Sequence, residues 1–267
     1  MCPLARATRR NSRYDSVPPA RSSAARPAHI LETVTFRERL IGTLRLVQPV
    51  LEQPGVLIVG SEVPNLLEPD AASTLVVSQD VDLAVPVDRV DAVKRSLGAL
   101  HRLVRSAEEP SVYLPTSPEL IEVNFLGLDS RIREAGETYV LEDAKLPLMV
   151  FGPLGLLRPG PLVEVEGLRL PLPRTADLIV EKLLTDRPAE KGARDLLVVA
   201  GLLATASGAT LDGAASVAAG LSAEARHAIC SSLATLSLMD ARPGMPDPVP
   251  VRHHVQRLLK AIEGGDG

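Results

Sequence analysis

The order of hydrophobic and polar positions divides the chain into a mixed α/β half and a helical half. From His29 to Gln48 the apolar residues recur mostly at steps of three and four, which predicts a helix ending at Pro49. Helical spacing returns over residues 87–103, and residues 62–67 can form a short helix. Runs of β-branched or alternating apolar residues predict strands over 55–61, 74–86, 111–115 and 119–127.

The second half opens with a predicted β-hairpin over residues 161–173, which turns at Glu166 and Gly167. Thr175 is expected to cap the helix that follows, and Pro188 to open the next one. Further helix-prone segments cover residues 211–238 and 251–262.

This order of elements predicts an α+β fold. A small mixed β-sheet core with flanking helices is expected over residues 29–160. The hairpin and a C-terminal helical region are expected over residues 161–267.

Composition and charge narrow the classes of protein. Apolar residues make up 45% of the chain, as in a globular protein, and aromatic residues only 2%, which argues against a surface that stacks single-stranded bases. Residues 1–28 hold six arginines against one acidic residue, so the remainder of a chain of net charge −4 is near −9. Such a body is a poor nucleic-acid surface. We interpret residues 1–28 as a disordered basic tail, with an RNA-contacting arm as the alternative.

Cysteine and histidine give no sign of a disulfide framework or a zinc site. Cys2 and Cys230 are too few and too far apart, and the five histidines lack zinc-ligand spacing. The longest apolar run, "LLVVAGLLA" from Leu196, is far shorter than the roughly 20 residues that span a bilayer, and the N-terminal residues lack the apolar run of a signal peptide. We expect a soluble cytoplasmic protein with no membrane partner.

Two aspartates, Asp80 and Asp82, interrupt the strand-like segment "SQDVDLAVP". Alternation along a strand sends both carboxylates to the same face. The pair suits either a solvated strand face, which is the commoner case for this pattern alone, or a site for a cation.

Two neighbouring features favour the second interpretation. Gly60–Ser61 ends a buried strand where a helix is expected, so its backbone N–H groups can receive a phosphate, although an ordinary turn also suits these residues. Glu122 is a charge within an apolar strand and shares its face with Asn124. If this strand pairs beside the aspartate strand, three carboxylates converge, which suits Mg²⁺ or Mn²⁺. A solvated edge-strand face is the alternative for Glu122.

Together these elements resemble the nucleotidyltransferase superfamily related to DNA polymerase β: Gly60–Ser61, then Ser78-x-Asp80-x-Asp82 on a strand, then a carboxylate on a later strand. The segment "EKLLTDRPAEKGARDLLVVAGLL" is similar to the K-x-x-A…R-x-K-x-x-R-D-x-x-D segment of the abortive-infection type toxin nucleotidyltransferases and related bacterial nucleotidyltransferases. The resemblance covers roughly residues 30–205 and implies that the α+β fold contains a nucleotidyltransferase core.

The resemblance also implies roles for residues that bind the substrate. Gly60 and Ser61 would hold the β- and γ-phosphates of a nucleoside triphosphate, with Ser78 as a further phosphate contact. Lys182 would neutralise the triphosphate. A solvated lysine beside an apolar stripe is the alternative for Lys182.

For metal binding and catalysis, the resemblance implies that Asp80 and Asp82 ligate Mg²⁺ or Mn²⁺. Glu122 would complete one metal site and help to activate the acceptor. Asp195 would lie near the active site, paired with Arg194 or Lys191, which lies four residues before it on the predicted helix. A pair on the surface of a helix is the alternative for Asp195.

The implied reaction transfers a nucleoside monophosphate to a hydroxyl acceptor on tRNA, a protein or a small molecule, and a cognate antitoxin is a further expected partner. The chain departs from the family pattern by having Glu122 where Asp is commoner and Val198 in place of a second helical Asp. The segment "NLLEPDAAST" adds length between Gly60 and Asp80. The alternative is a nucleotidyltransferase-fold binding or regulatory module that no longer catalyses.

Overall fold

A computed structural model describes residues 35–67, 80–132, 136–185 and 189–264. Several predictions fall outside these ranges: the basic tail over 1–28, the start of the first helix, the first part of the aspartate strand, and Ser78. The side chain of Lys191 is also outside the description, so its predicted pairing with Asp195 stays a prediction.

The chain begins with α1 (Phe36–Leu46), followed at once by α2 (Gln48–Leu51). Thr35 and Glu38 form a capping box at the start of α1: Thr35 Oγ1 accepts from the Glu38 N–H at 3.2 Å, and Glu38 Oε2 accepts from the Thr35 N–H at 2.7 Å. The predicted helix end at Pro49 is wrong. Pro49 lies in the first turn of α2, where a missing N–H leaves no hydrogen bond unmade.

Seven strands of the described chain form one mixed sheet. They are β1 (Leu57–Val59), β2 (Asp80–Pro86), β3 (Leu103–Arg105), β4 (Val112–Pro115), β5 (Glu122–Leu128), β6 (Thr138–Leu141) and β7 (Leu148–Phe151). The order β1-β2-β5-β4-β3 puts β2 beside β5, and β7 joins β5 to β6. The pairs β2–β5 and β5–β7 are parallel, and the other pairs are antiparallel. The sequence did not predict β3, β6 or β7.

Short helices connect the first strands. The predicted helix over 62–67 appears as α3 (Val63–Leu67), and the one over 87–103 as the shorter α4 (Val90–Ser96). A 3₁₀ turn at Leu97–Ala99 follows α4 and contains Gly98, a poor helix former, and the chain then enters β3.

The predicted hairpin is confirmed as β8 (Pro159–Val165) and β9 (Leu168–Pro173). Glu166 and Gly167 both have positive φ, 48° and 78°, as the tight turns that suit strand twist require. β9 packs against β1, so the hairpin adjoins the sheet.

Five helices follow in the described part of the chain: α5 (Thr175–Leu184), α6 (Ala189–Ala204), α7 (Gly208–Ala219), α8 (Ala223–Leu238) and α9 (Arg252–Glu263). Thr175 is the first helical residue of α5, so its predicted cap is wrong; the preceding Arg174 takes that position without a side-chain hydrogen bond. The predicted α+β class is confirmed, while the boundary at residue 160 stays a prediction. Within the described ranges, no helix is long and apolar enough to cross a membrane.

A buried carboxylate fixes the start of α5. Asp177 is fully buried and accepts hydrogen bonds from the backbone N–H and the Nε of Arg158, both at 3.1 Å. The Arg158 guanidinium donates a third bond through Nη2, also at 3.1 Å. Since Arg158 directly precedes β8, this contact ties the helix to the hairpin.

We predict that Asp177→Ala lowers the free energy of unfolding by about 2–4 kcal/mol, because it leaves the backbone N–H of Arg158 without its acceptor. Urea denaturation measures the change. Asp212→Ala is the matched control: it breaks an exposed ion pair with Arg257 at 2.7 Å and should change stability by less than about 1 kcal/mol. Equal losses in the two variants would contradict the anchoring role of Asp177.

Candidate functional site

The parallel pairing of β2 with β5 builds the polar face of the site. In this register Asp80 lies beside Glu122, and Asp82 lies beside Asn124. The alternate residues of both strands are buried in the core, among them Val81, Leu83, Val123 and Phe125. The predicted adjacency of the two strands is therefore confirmed, and their polar side chains share one half-buried face.

Asn124 connects the two aspartates. Its Nδ2 donates to Asp80 Oδ2 at 2.8 Å and to Asp82 Oδ1 at 3.1 Å. The amide thus lies between two like charges, whereas its own Oδ1 is buried and has no hydrogen-bond partner among the described residues. The sequence indicated only that Asn124 shares a face with Glu122; the bridging contact follows from the register.

Glu122 is held in an environment that favours its protonated form. Burial raises the pKa of the Glu122 carboxyl, and the negative charges of Asp80 and Glu109 raise it further. A cation bound beside Glu122 would oppose both effects. A carboxyl of this kind accepts a proton more readily than an ordinary surface glutamate.

Gly60 closes one side of this face, directly after β1. Its φ is +93°, a conformation that disfavours any residue with a Cβ. A Cβ at this position would lie 2.6 Å from Asp82 Oδ2, so the glycine also lets the backbone approach the carboxylate. The turn after β1 and the aspartate strand are therefore too close at this point to admit a side chain at position 60.

A cavity of about 520 Å³ lies against this face. Gly60 and Asp82 line it from the sheet, and Glu181, Lys182 and Thr185 line it from α5 and the residue after it. The rest of its wall is largely apolar, and includes Leu126, Phe151, Pro153 and Leu154. The volume falls in the usual range for small-molecule sites, about 300–1,000 Å³.

Lys182 is buried at this cavity together with a counter-ion. Its side chain is 5% exposed and its Nζ lies 3.4 Å from Oε2 of Glu181, which is 4% exposed. Glu181 Oε2 has no hydrogen-bond partner, so the ion pair is its only polar contact among the described residues. The surface interpretation of Lys182 is therefore wrong. A buried ammonium with a single counter-ion retains capacity for a further anion.

The predicted site residues are only partly brought together. Of those that the structure describes, Gly60, Asp82 and Lys182 line the cavity, and Asp80 and Glu122 continue the polar face beyond it. Ser61 follows Gly60 but is not part of the lining. Asp195 is 5% exposed in α6, so the surface-pair interpretation is wrong, yet it too lies outside the lining.

The donors on this face suit a divalent cation in their chemistry. Carboxylate oxygens are among the ligands that Mg²⁺ and Mn²⁺ prefer, and the face presents the carboxylates of Asp80, Asp82 and Glu122. In the described part of the chain, no three or more His, Cys, Asp or Glu side chains are already grouped as a metal site. The Asn124 amide holds the position between the aspartates that a cation would share.

A second cavity of about 540 Å³ lies in the helical half, between α5, α6 and α8. It shares Lys182, Leu184 and Thr185 with the first cavity, but the described residues of its lining include no carboxylate. We therefore take the first cavity as the candidate site.

Comparison with known proteins assigns no family. No protein-family model matches the chain, and neither a curated protein nor a solved structure matches it at a significant level. Any function must be argued from the geometry of the site itself.

We predict that Gly60→Ala has two effects, strain in the backbone and displacement of a side chain in the site. The new Cβ would displace the Asp82 carboxylate, so binding at the face should be lost along with about 1–2 kcal/mol of stability. Gly167→Ala is the matched control, because Gly167 also has positive φ, +78°, but a Cβ there meets nothing within 4 Å.

Urea denaturation and calorimetric titration with Mn²⁺ in the presence of nucleotide compare the two glycine variants. Similar losses of stability with loss of binding only in Gly60→Ala are the expected result. Unchanged binding in Gly60→Ala would show that the approach of Gly60 to Asp82 has no bearing on the site.

Proposed function

We propose that this protein is a metal-dependent nucleotidyltransferase, which transfers a nucleoside monophosphate from a nucleoside triphosphate to a hydroxyl acceptor. The observation that carries the proposal is the register of Asp80 and Asp82 beside Glu122 and Asn124. The cavity between Gly60 and Lys182 adjoins that face and offers space for a nucleotide. The order of these residues along the chain is the order in the family that the sequence resembles.

Asp80, Asp82 and Glu122 would hold Mg²⁺ or Mn²⁺, which, when bound, supplies neutralisation of charge on the α-phosphate and on the departing pyrophosphate. Asp80 and Asp82 start from a fixed orientation, because both accept hydrogen bonds from Asn124. Such preorganisation lowers the reorganisation needed during the reaction.

Two charged side chains would act on the substrate directly. Lys182 lines the cavity from α5 and would pair with the triphosphate, adding a second anion to its contact with Glu181. Glu122, which lies beside Asp80 in the strand register, would take the proton of the acceptor hydroxyl.

The reaction follows from these positions. The acceptor oxygen forms a bond to the α-phosphorus, the bond from that phosphorus to the bridging oxygen breaks, and pyrophosphate leaves. Positioning and charge neutralisation drive such a transfer, so no nucleophilic side chain is needed. The acceptor is a hydroxyl on tRNA, a protein or a small molecule, and an antitoxin is a further proposed partner.

We predict that Asp80→Asn reduces nucleotidyl transfer by about 100-fold or more, since removal of one group that holds transition-state charge commonly has an effect of this size. Purified protein is incubated with Mg²⁺ or Mn²⁺ and each α-labelled nucleoside triphosphate. Pyrophosphate release and label transfer to the protein itself, to bulk tRNA and to aminoglycosides are then measured.

The matched control is Asp88→Asn, in an exposed aspartate that follows the same strand and pairs with Arg89 at 3.6 Å. It should retain wild-type activity. Activity of Asp80→Asn equal to wild type would refute the catalytic proposal. Nucleotide binding by the wild type without turnover on any acceptor would favour the binding or regulatory module instead.

A further inference from the structure

An exposed aromatic ring lies among the apolar residues that line the candidate cavity. Phe151, the last residue of β7, is 38% exposed and lines the cavity that Asp82 and Lys182 also line. The chain has only three phenylalanines, and Phe125 is fully buried in the core. Aromatic residues are so few in this chain that their abundance does not explain an exposed ring inside a cavity.

The cavity has a charged part and an apolar part. Asp82, Glu181 and Lys182 provide the charged lining. The apolar lining includes Val59 of β1, Leu184 of α5, and a set from β5, β7 and the turn after β7: Leu126, Phe151, Pro153 and Leu154. A ligand that fills the cavity must then carry both charge and apolar surface. A nucleoside triphosphate has both.

We propose that Phe151 forms the nucleobase subsite, in which its ring stacks against the base of the bound nucleoside triphosphate. The inference rests on the proposed function and adds which part of the cavity receives the base. An aromatic ring and a base both offer a π-face, so the stacking is favourable for any of the four bases. Leu126 and Leu154 exclude water around the stacked rings.

The position of Phe151 in the sheet supports this assignment. Met149 lies two residues earlier on the same face of β7 and has almost the same exposure, 39%, but it does not line the cavity. Its register partner on β5 is Leu126. The apolar strip of β7 therefore continues from inside the cavity to outside it, and only the Phe151 end is within reach of a ligand held by Lys182.

The experiment titrates the full-length protein with the α,β-methylene analogue of ATP and Mg²⁺ by calorimetry, and separately with inorganic tripolyphosphate. Phe151→Ala should weaken binding of the ATP analogue about tenfold, as expected for loss of one stacked base, and leave tripolyphosphate binding unchanged. Phe151→Tyr should restore binding of the analogue. Because Phe151 is exposed, its truncation should not unfold the protein, which circular dichroism checks.

Met149→Ala is the matched control and should bind the analogue like wild type. Equal weakening by Met149→Ala and Phe151→Ala would overturn the subsite, because it would show that truncation anywhere on the strip weakens binding without any loss of stacking. Unchanged analogue affinity in Phe151→Ala, with transfer still abolished by Asp80→Asn, would overturn the base subsite alone. Failure of the wild type to bind either probe would overturn the proposed function as well.

Discussion

Parallel pairing of β2 with β5 is the constraint on which the candidate site depends. Asp80 lies beside Glu122, and side chains alternate between the two faces of a strand. Asp82 and Asn124 must therefore lie on the same face as Asp80 and Glu122. A slip of one residue would move the polar side chains of one strand into the core and its apolar ones to the site. Burial of residues such as Val81 and Phe125 on the opposite face opposes that slip. The hydrophobic core thus keeps like charges together that would otherwise repel.

The second half of the chain contributes a charge of opposite sign. α5 brings Lys182 to the cavity, and the buried contact of Asp177 with Arg158 fixes the start of that helix. Burial of Lys182 has a cost in desolvation that its pairing with Glu181 offsets. An anionic ligand would add a second partner. Asp82 of the polar face and Lys182 of the helix therefore line one cavity, although they lie about 100 residues apart in the sequence.

The sequence predicted the parts of the site that follow from local pattern. Alternation placed Asp80 and Asp82 on one face, and the turn after β1 required Gly60. It could not predict the Asn124 bridge, because that contact depends on the register between strands far apart in the chain. β7 with Phe151 was missed because its segment is short and follows a stretch without clear alternation. The sequence pattern around Lys182 was equally compatible with a solvated side chain, since helical periodicity does not show which neighbouring elements cover a residue.

Manganese anomalous scattering can locate a metal ion at the face formed by Asp80 and Asp82. Crystals grown with Mn²⁺ and a non-hydrolysable nucleoside triphosphate analogue are measured at the manganese absorption edge. We expect an anomalous peak in contact with the carboxylates of Asp80 and Asp82, with the triphosphate extending toward Lys182. A bound nucleotide whose metal lies away from both aspartates, or no manganese at that face while nucleotide is bound, would contradict it.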